Sequence, residues 1–137
     1  MTIGVGIIGL GMATKPHMTS LRELEAAGSA KIVGGFAPSP ERRRAFAEKW
    51  KVPVFDRQDD LLTRPDVDLI LILTTPGTHL PVAEAVAKAG KHIIVEKPVE
   101  VTVSRGEALA KAVKAAGVHC SVSVSYTHLT LPTNREV

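Results

Sequence analysis

The sequence holds a single cysteine, Cys120, among 137 residues, so an internal disulfide framework is excluded and a reducing compartment fits. No Cys/His spacing resembles a metal site. Strong charge of one sign is also missing. The formal net charge is +3, and the basic residues are scattered apart from Arg42, Arg43 and Arg44, so no nucleic-acid footprint is visible and that short run reads as a solvated helix face. Long apolar runs are absent: the longest, Val67 to Leu73, is broken by Asp68 and is far too short to cross a bilayer. Nor does the N-terminus show a basic n-region with a cleavage site, so a cytoplasmic protein without a membrane partner is the expectation. Aromatics make up only 4% of residues. What remains, 45% hydrophobic and 23% charged with no internal repeat or low-complexity linker, is the composition of one soluble globular domain.

The chain is organised around the stretch Thr2 to Thr14. Residues 3–10 are almost all apolar or Gly, as expected of a strand buried on both faces of a parallel sheet. Gly9 and Gly11 then open a turn. In a dinucleotide fold the first Gly permits the turn, and the second lets a pyrophosphate approach the backbone at the N-terminus of the next helix. Gly9, Gly11, Met12 and Ala13 are therefore candidate cofactor contacts. Thr14 stands where a third Gly or Ala is usual, and it must still pack helix against strand. Gly-x-Gly alone is a weak signal, more often an ordinary strand-to-helix turn than a dinucleotide site, and the order of the remaining elements has to decide.

That order is regular. Met18, Leu21, Leu24 and Ala27 mark a first helix stopped by Gly28, and Lys31 to Phe36 is a second strand. Ser39-Pro40-Glu41 reads as an N-cap, a Pro at the first helical position and an acid in the first turn of a second helix, with Phe46 and Trp50 facing the core. Val52 to Phe55 is predicted as a short third strand, and Asp59 to Leu62 as a brief helix ending before Pro65. Asp68 to Leu73 is the fourth and most hydrophobic strand. It ends in Thr74-Thr75-Pro76-Gly77-Thr78-His79, turn chemistry at the end of a strand where open α/β sheets place ligands. Val82, Ala83, Val86 and Ala87 mark a helix stopped by Gly90. His92 to Val95 is a fifth strand, Leu109, Ala112, Val113 and Ala116 a further helix stopped by Gly117, and His119 to Val122 a sixth strand. Strands alternating with helices imply right-handed crossovers and an α/β, doubly wound parallel sheet, the Rossmann architecture.

The set Gly9-x-Gly11, Pro40-Glu41-Arg42, Thr74 to His79 and Gly90-Lys91-His92 through Glu96-Lys97-Pro98 resembles the Gfo/Idh/MocA family over residues 2–123. These are NAD(P)-dependent oxidoreductases related to glucose-fructose oxidoreductase and inositol dehydrogenase, acting mostly on sugars and cyclitols. The resemblance implies a hydride-transferring parent enzyme with a sugar, cyclitol or related polyol as substrate, and a homo-oligomer. It also implies that Lys97 lies near the nicotinamide and the substrate hydroxyl, as the catalytic residue. An ammonium donates hydrogen bonds and accepts none, so it suits orienting the reacting oxygen and stabilising negative charge on it. Glu96 is expected to orient Lys97 or bind a ribose hydroxyl, and Pro98 to shape the turn. Thr74, Thr75, Pro76 and His79 form the expected cofactor-facing loop, with Thr75 replacing the family's usual Pro; capping the next helix is the alternative role for His79. His17, His92 and His119 carry no assignment.

Cofactor choice turns on the end of the second strand, where NAD-specific relatives place an acid for the ribose hydroxyls. Here that position is Ala37. Ser39 with Arg42 or Arg43 suits a 2′-phosphate instead, so NADP is favoured over NAD. The resemblance also implies a second α/β domain carrying the substrate contacts, which these 137 residues do not include, and the chain alone is expected to bind nucleotide without turnover. The end of the sequence departs from the pattern. Val124-Ser-Tyr-Thr-His-Leu-Thr-Leu-Pro-Thr133 resembles a translated sequencing-library adapter, so residues 124–137 are expected to be a non-native tail and residues 1–123 the dinucleotide-binding domain; an ordinary strand using Tyr126, Leu129 and Leu131 is the alternative. Two other functions stay open. One is a non-catalytic NAD(P)-responsive regulator, which the presence of Lys97 disfavours; the other is a methyltransferase, in which Glu96-Lys97-Pro98 has no place. A P-loop NTPase is disfavoured by the lack of a Lys-Ser or Lys-Thr pair after the glycine turn.

Overall fold

The computed structural model describes residues 2–11, 14–97 and 99–123. Five parallel strands form one sheet: β1 (Ile3–Ile8), β2 (Ala30–Phe36), β3 (Leu69–Ile72), β4 (His92–Glu96) and β5 (Cys120–Ser123). Between them run α1 (Thr14–Ala26), α2 (Pro40–Trp50), α3 (Gln58–Leu62), α4 (His79–Lys88) and α5 (Val103–Ala116). The strand order is β2-β1-β3-β4-β5. The chain therefore leaves β1 in one direction to make β2 and returns across it to make β3, so the topology reverses between β1 and β3. In open α/β sheets a ligand crevice opens at that point, outside the carboxyl ends of the strands.

Alternation along the central strands divides the core in two. Val5 and Ile7 of β1, with Leu71 of β3, face Met18 and Leu21 of α1 and Phe46 of α2. Ile8, Ile70 and Ile72 face the opposite layer, built on Leu61 of α3, Val86 of α4 and Leu109 of α5. Both faces are covered by helices, which is why these strands read as nearly continuous apolar runs. Helix ends follow their sequence signals. Ser39 Oγ accepts from the Arg42 N–H at 3.2 Å and Pro40 opens α2, while Gly117 closes α5 in the left-handed conformation at φ +71°. Trp50 is half-buried against the α2 side of the core.

One expected strand is not formed. Residues 52–55 make a single parallel bridge, Val54 to Gly35, beside the sheet edge. Pro53 has no N–H to extend the ladder, and its carbonyl accepts from Gly35 N at 3.1 Å before the chain turns into α3. Among the described residues the sheet thus has five strands, not the six expected from the sequence. The tail at residues 124–137, with Tyr126 and His128, lies outside the described residues, as do Met12, Ala13 and Pro98. Among the described residues no helix is long and apolar enough to cross a membrane.

Candidate cofactor cleft

At the topological reversal the ends of β1, β2 and β3 surround a cleft of about 560 Å³. Gly9, Gly11, Ala37, Ser39, Arg42, Thr74 and Thr75 all line it, so the structure brings together seven residues drawn from three separate sequence motifs. Gln58 of α3 and Val82 of α4 also line it; Gln58 carries no signal in the sequence, where Val82 reads only as a marker of its helix. Gly9 makes the junction possible. It sits at φ +101°, and a Cβ there would lie 2.7 Å from both the Leu73 carbonyl carbon and the Thr74 nitrogen. Its N–H donates to the Phe36 carbonyl at 2.9 Å, and Leu73 N–H donates to Ile8 O at 2.8 Å, fixing the three strand ends together. At Gly11 the neighbour is different: the space a Cβ would take lies 2.7 Å from Nη1 of Arg42. The guanidinium therefore lies across the glycine turn. Thr14 closes that turn by donating its hydroxyl to Gly11 O at 2.7 Å.

The polar lining is selective. The Ser39 oxygen accepts from Arg42 N–H, which leaves its hydroxyl proton to donate elsewhere. Arg43 is committed to structure, its Nη1 donating to the carbonyls of Ala37 at 2.7 Å and Pro38 at 3.2 Å. Of the two arginines weighed from the sequence, Arg42 is the one at the cleft. Among the described residues no Asp or Glu lines it, and Ala37 presents only a methyl group in a buried position. Thr74 Oγ1 is buried with no hydrogen-bond partner among the described residues. An orphaned hydroxyl beside a glycine cradle fits a ligand with polar oxygens, and the helix N-terminus beyond the turn fits an anion.

The rest of the expected site stands apart from this lining. Pro76 opens a single turn of 3-10 helix, Pro76–Thr78, held by Thr78 Oγ1 donating to Thr75 O at 2.6 Å. His79 is fully buried, its ring nitrogens each 2.9 Å from a backbone carbonyl, those of Thr74 and Val99. The imidazole thereby ties the loop after β3 to the segment after β4. A second tie runs alongside. The Glu100 carboxylate accepts from Leu80 N–H at 2.9 Å, Val101 N–H at 2.7 Å and Nη2 of the Arg105 guanidinium at 3.2 Å. The Arg105 hydrogen bond, aided by the two backbone N–H groups, outweighs the cost of desolvation and holds the Glu100 pKa down to about 2. Glu100 and Arg105 were not singled out in the sequence, because an ion pair five residues apart across a loop and a helix start has no distinctive spacing.

Lys97 follows the last residue of β4, exposed and without a hydrogen bond or ion pair among the described residues. Glu96 is turned to α1, where its Oε1 lies 2.7 Å from His17 Nε2.

The model of the Gfo/Idh/MocA oxidoreductase family, NAD-binding Rossmann fold, matches residues 3–124. Among curated proteins the chain is 35% identical over 120 residues to the uncharacterized oxidoreductase YdgJ of Escherichia coli, covering 88% of this chain and 34% of that protein. It is 31% identical over 122 residues to the NADP(+)-dependent scyllo-inositol 2-dehydrogenase IolW of Bacillus subtilis, covering 88% and 33%. Among solved structures, the WlbA dehydrogenase of Bordetella pertussis in complex with NADH and UDP-GlcNAcA superposes with a TM-score of 0.82 at 28% identity, covering 90% of this chain and 37% of that one. The chain thus spans about a third of the length of the curated relatives it matches.

Proposed function

The chain belongs to the Gfo/Idh/MocA oxidoreductase family, and from that premise we propose that the whole protein transfers hydride between NADP, in preference to NAD, and a sugar, cyclitol or related polyol. The observation that carries the cofactor reading is the cleft lining: a glycine cradle, Ser39 and Arg42, and, among the described residues, an orphaned Thr74 hydroxyl and no carboxylate. The nicotinamide, when bound, supplies or accepts the hydride. Gly9 and Gly11 leave room for the pyrophosphate, and the first N–H groups of α1 face it. Arg42 and the Ser39 hydroxyl hold the 2′-phosphate by charge-assisted hydrogen bonds, a role in which the missing carboxylate removes repulsion. Thr74 donates or accepts from the loop after β3. Lys97 donates to the oxygen that gains or loses its proton and stabilises negative charge there.

The polyol reading rests on the named activities of relatives and on Lys97. This chain spans about a third of the length of these relatives, and on this reading the substrate contacts of the whole protein lie outside that third, so the 137 residues alone are expected to bind cofactor without turnover. Residues 124–137 are read as non-native, which resequencing of the parent DNA from an adapter-free template tests. For the cofactor, NADPH and NADH are titrated against the chain by nicotinamide fluorescence. Tighter NADPH binding by about tenfold or more supports the reading. Equal or tighter NADH binding overturns the preference, and binding of neither, with S-adenosylmethionine binding instead, overturns the family chemistry at this cleft.

A further inference from the structure

We propose that His17 is a positioning residue for the nicotinamide half of the site, acting through Glu96. The proposal rests on the dinucleotide reading of the cleft. His17 Nε2 and Glu96 Oε1 lie 2.7 Å apart although the residues are 79 positions apart in sequence. Their side chains are only 20% and 17% exposed, so this pair is far better shielded from water than an ordinary surface ion pair. The imidazole N–H donates and the carboxylate accepts.

Placement makes the contact more than a brace. Thr14 and His17 are three residues apart on α1 and so share a helix face. Thr14 holds Gly11, in the turn proposed to take the pyrophosphate, and His17 holds the end of β4. The parallel ladder stops at Glu96, paired with Ser123, and the next residue is Lys97, which has no partner of its own among the described residues. The side chain that fixes Glu96 therefore sets the direction in which the chain leaves the sheet and carries Lys97. One turn of helix couples the site of the pyrophosphate to the residue expected at the nicotinamide. A merely structural ion pair would affect every ligand of the cleft alike, whereas a positioning pair affects the nicotinamide end alone.

The test separates the two ends of the cofactor. The chain, His17→Ala, His17→Gln and Glu96→Gln are each titrated with NADPH and with ADP-ribose 2′-phosphate, the same molecule without nicotinamide. NADH and ADP-ribose are run in parallel. Expected is a loss of about tenfold in affinity for the reduced dinucleotide in His17→Ala, with the nicotinamide-free ligand within twofold. Enhancement of nicotinamide fluorescence on binding falls with it, and His17→Gln, which keeps an N–H donor, restores both. Glu96→Gln keeps an acceptor oxygen and is expected to show a smaller split in the same direction, which serves if His17→Ala does not fold. Equal losses on both ligands, or no loss on either, overturn the proposal while leaving the dinucleotide reading standing. If the unsubstituted chain binds none of the four ligands, the dinucleotide reading itself fails and this role falls with it.

Discussion

The two glycines of the first turn are expected to fail in opposite ways when each is replaced by alanine. At Gly9 a side chain meets backbone on both counts: φ is +101°, and Cβ would lie 2.7 Å from the Leu73 carbonyl carbon and the Thr74 nitrogen. The left-handed conformation costs a non-glycine residue about 1–2 kcal/mol. Parting β1 from the end of β3 adds about 1–3 kcal/mol of strain. The smaller entropy of the unfolded alanine chain offsets about 0.4–1 kcal/mol. Together these give a net loss of about 1–4.5 kcal/mol, centred near 3, which corresponds to melting about 4–18 °C lower. Among the described residues Gly11 has no such backbone neighbour: its Cβ would meet the movable guanidinium of Arg42. Gly11→Ala should therefore melt within about 3 °C of the parent chain, with its folded state intact. Its defect is in binding: the added methyl displaces Arg42 and blocks close approach of a pyrophosphate, lowering NADPH affinity by about tenfold or more. Thermal melting by circular dichroism and fluorescence titration read the two effects separately. Wild-type melting of Gly9→Ala, or wild-type NADPH affinity of Gly11→Ala, would refute the roles given to these positions.

Arg42→Ala is expected to weaken NADPH by about tenfold to a hundredfold and to leave NADH within about twofold, measured by the same titration. Glu100 gives the fold an acid-sensitive tie. Its folded pKa of about 2 lies below the ordinary value of 4.5, so its contribution is complete above pH 4.5 and is lost as pH falls toward 2. Melting temperature followed across that window should decline, and Glu100→Gln should flatten the decline while lowering stability at neutral pH; an unchanged acid slope would place the sensitivity elsewhere. Lys97→Ala should leave melting of this chain unchanged, because the side chain is exposed and unpartnered among the described residues. In the whole protein the same substitution is expected to lower kcat by about 100-fold or more.

Features written into short stretches of sequence were legible. Ser39-Pro40-Glu41 announced a helix start because capping is local chemistry, and Gly9-x-Gly11 announced a turn because few other residues fit one. The gathering of Gly11, Ser39 and Thr74 at one cleft followed from alternating strands and helices, since parallel strands put all their carboxyl ends on one side. The strand expected at residues 52–55 failed where local preference met geometry. Val52, Val54 and Phe55 favour extended backbone, but Pro53 breaks the ladder and leaves one bridge. His17 stayed unassigned for a different reason. Its partner Glu96 is 79 residues away, and only the tertiary fold, which brings the start of α1 within side-chain reach of the end of β4, joins the two. His79 shows the limit of residue type as a guide. A histidine at a ligand-binding loop reads equally as ligand contact or strut, and the ring's burial between the Thr74 and Val99 carbonyls comes from the tertiary fold.

The most direct measurement is an amide-by-amide NMR titration of the isotope-labelled chain with NADPH. Saturable shifts centred on Gly9, Gly11, Ser39 and Thr74, with the amino ends of the strands around Ser29 and Lys91 unmoved, are the expected result. Shifts centred on those amino ends, or none with either NADPH or NADH, would contradict a dinucleotide site at the carboxyl ends of β1, β2 and β3.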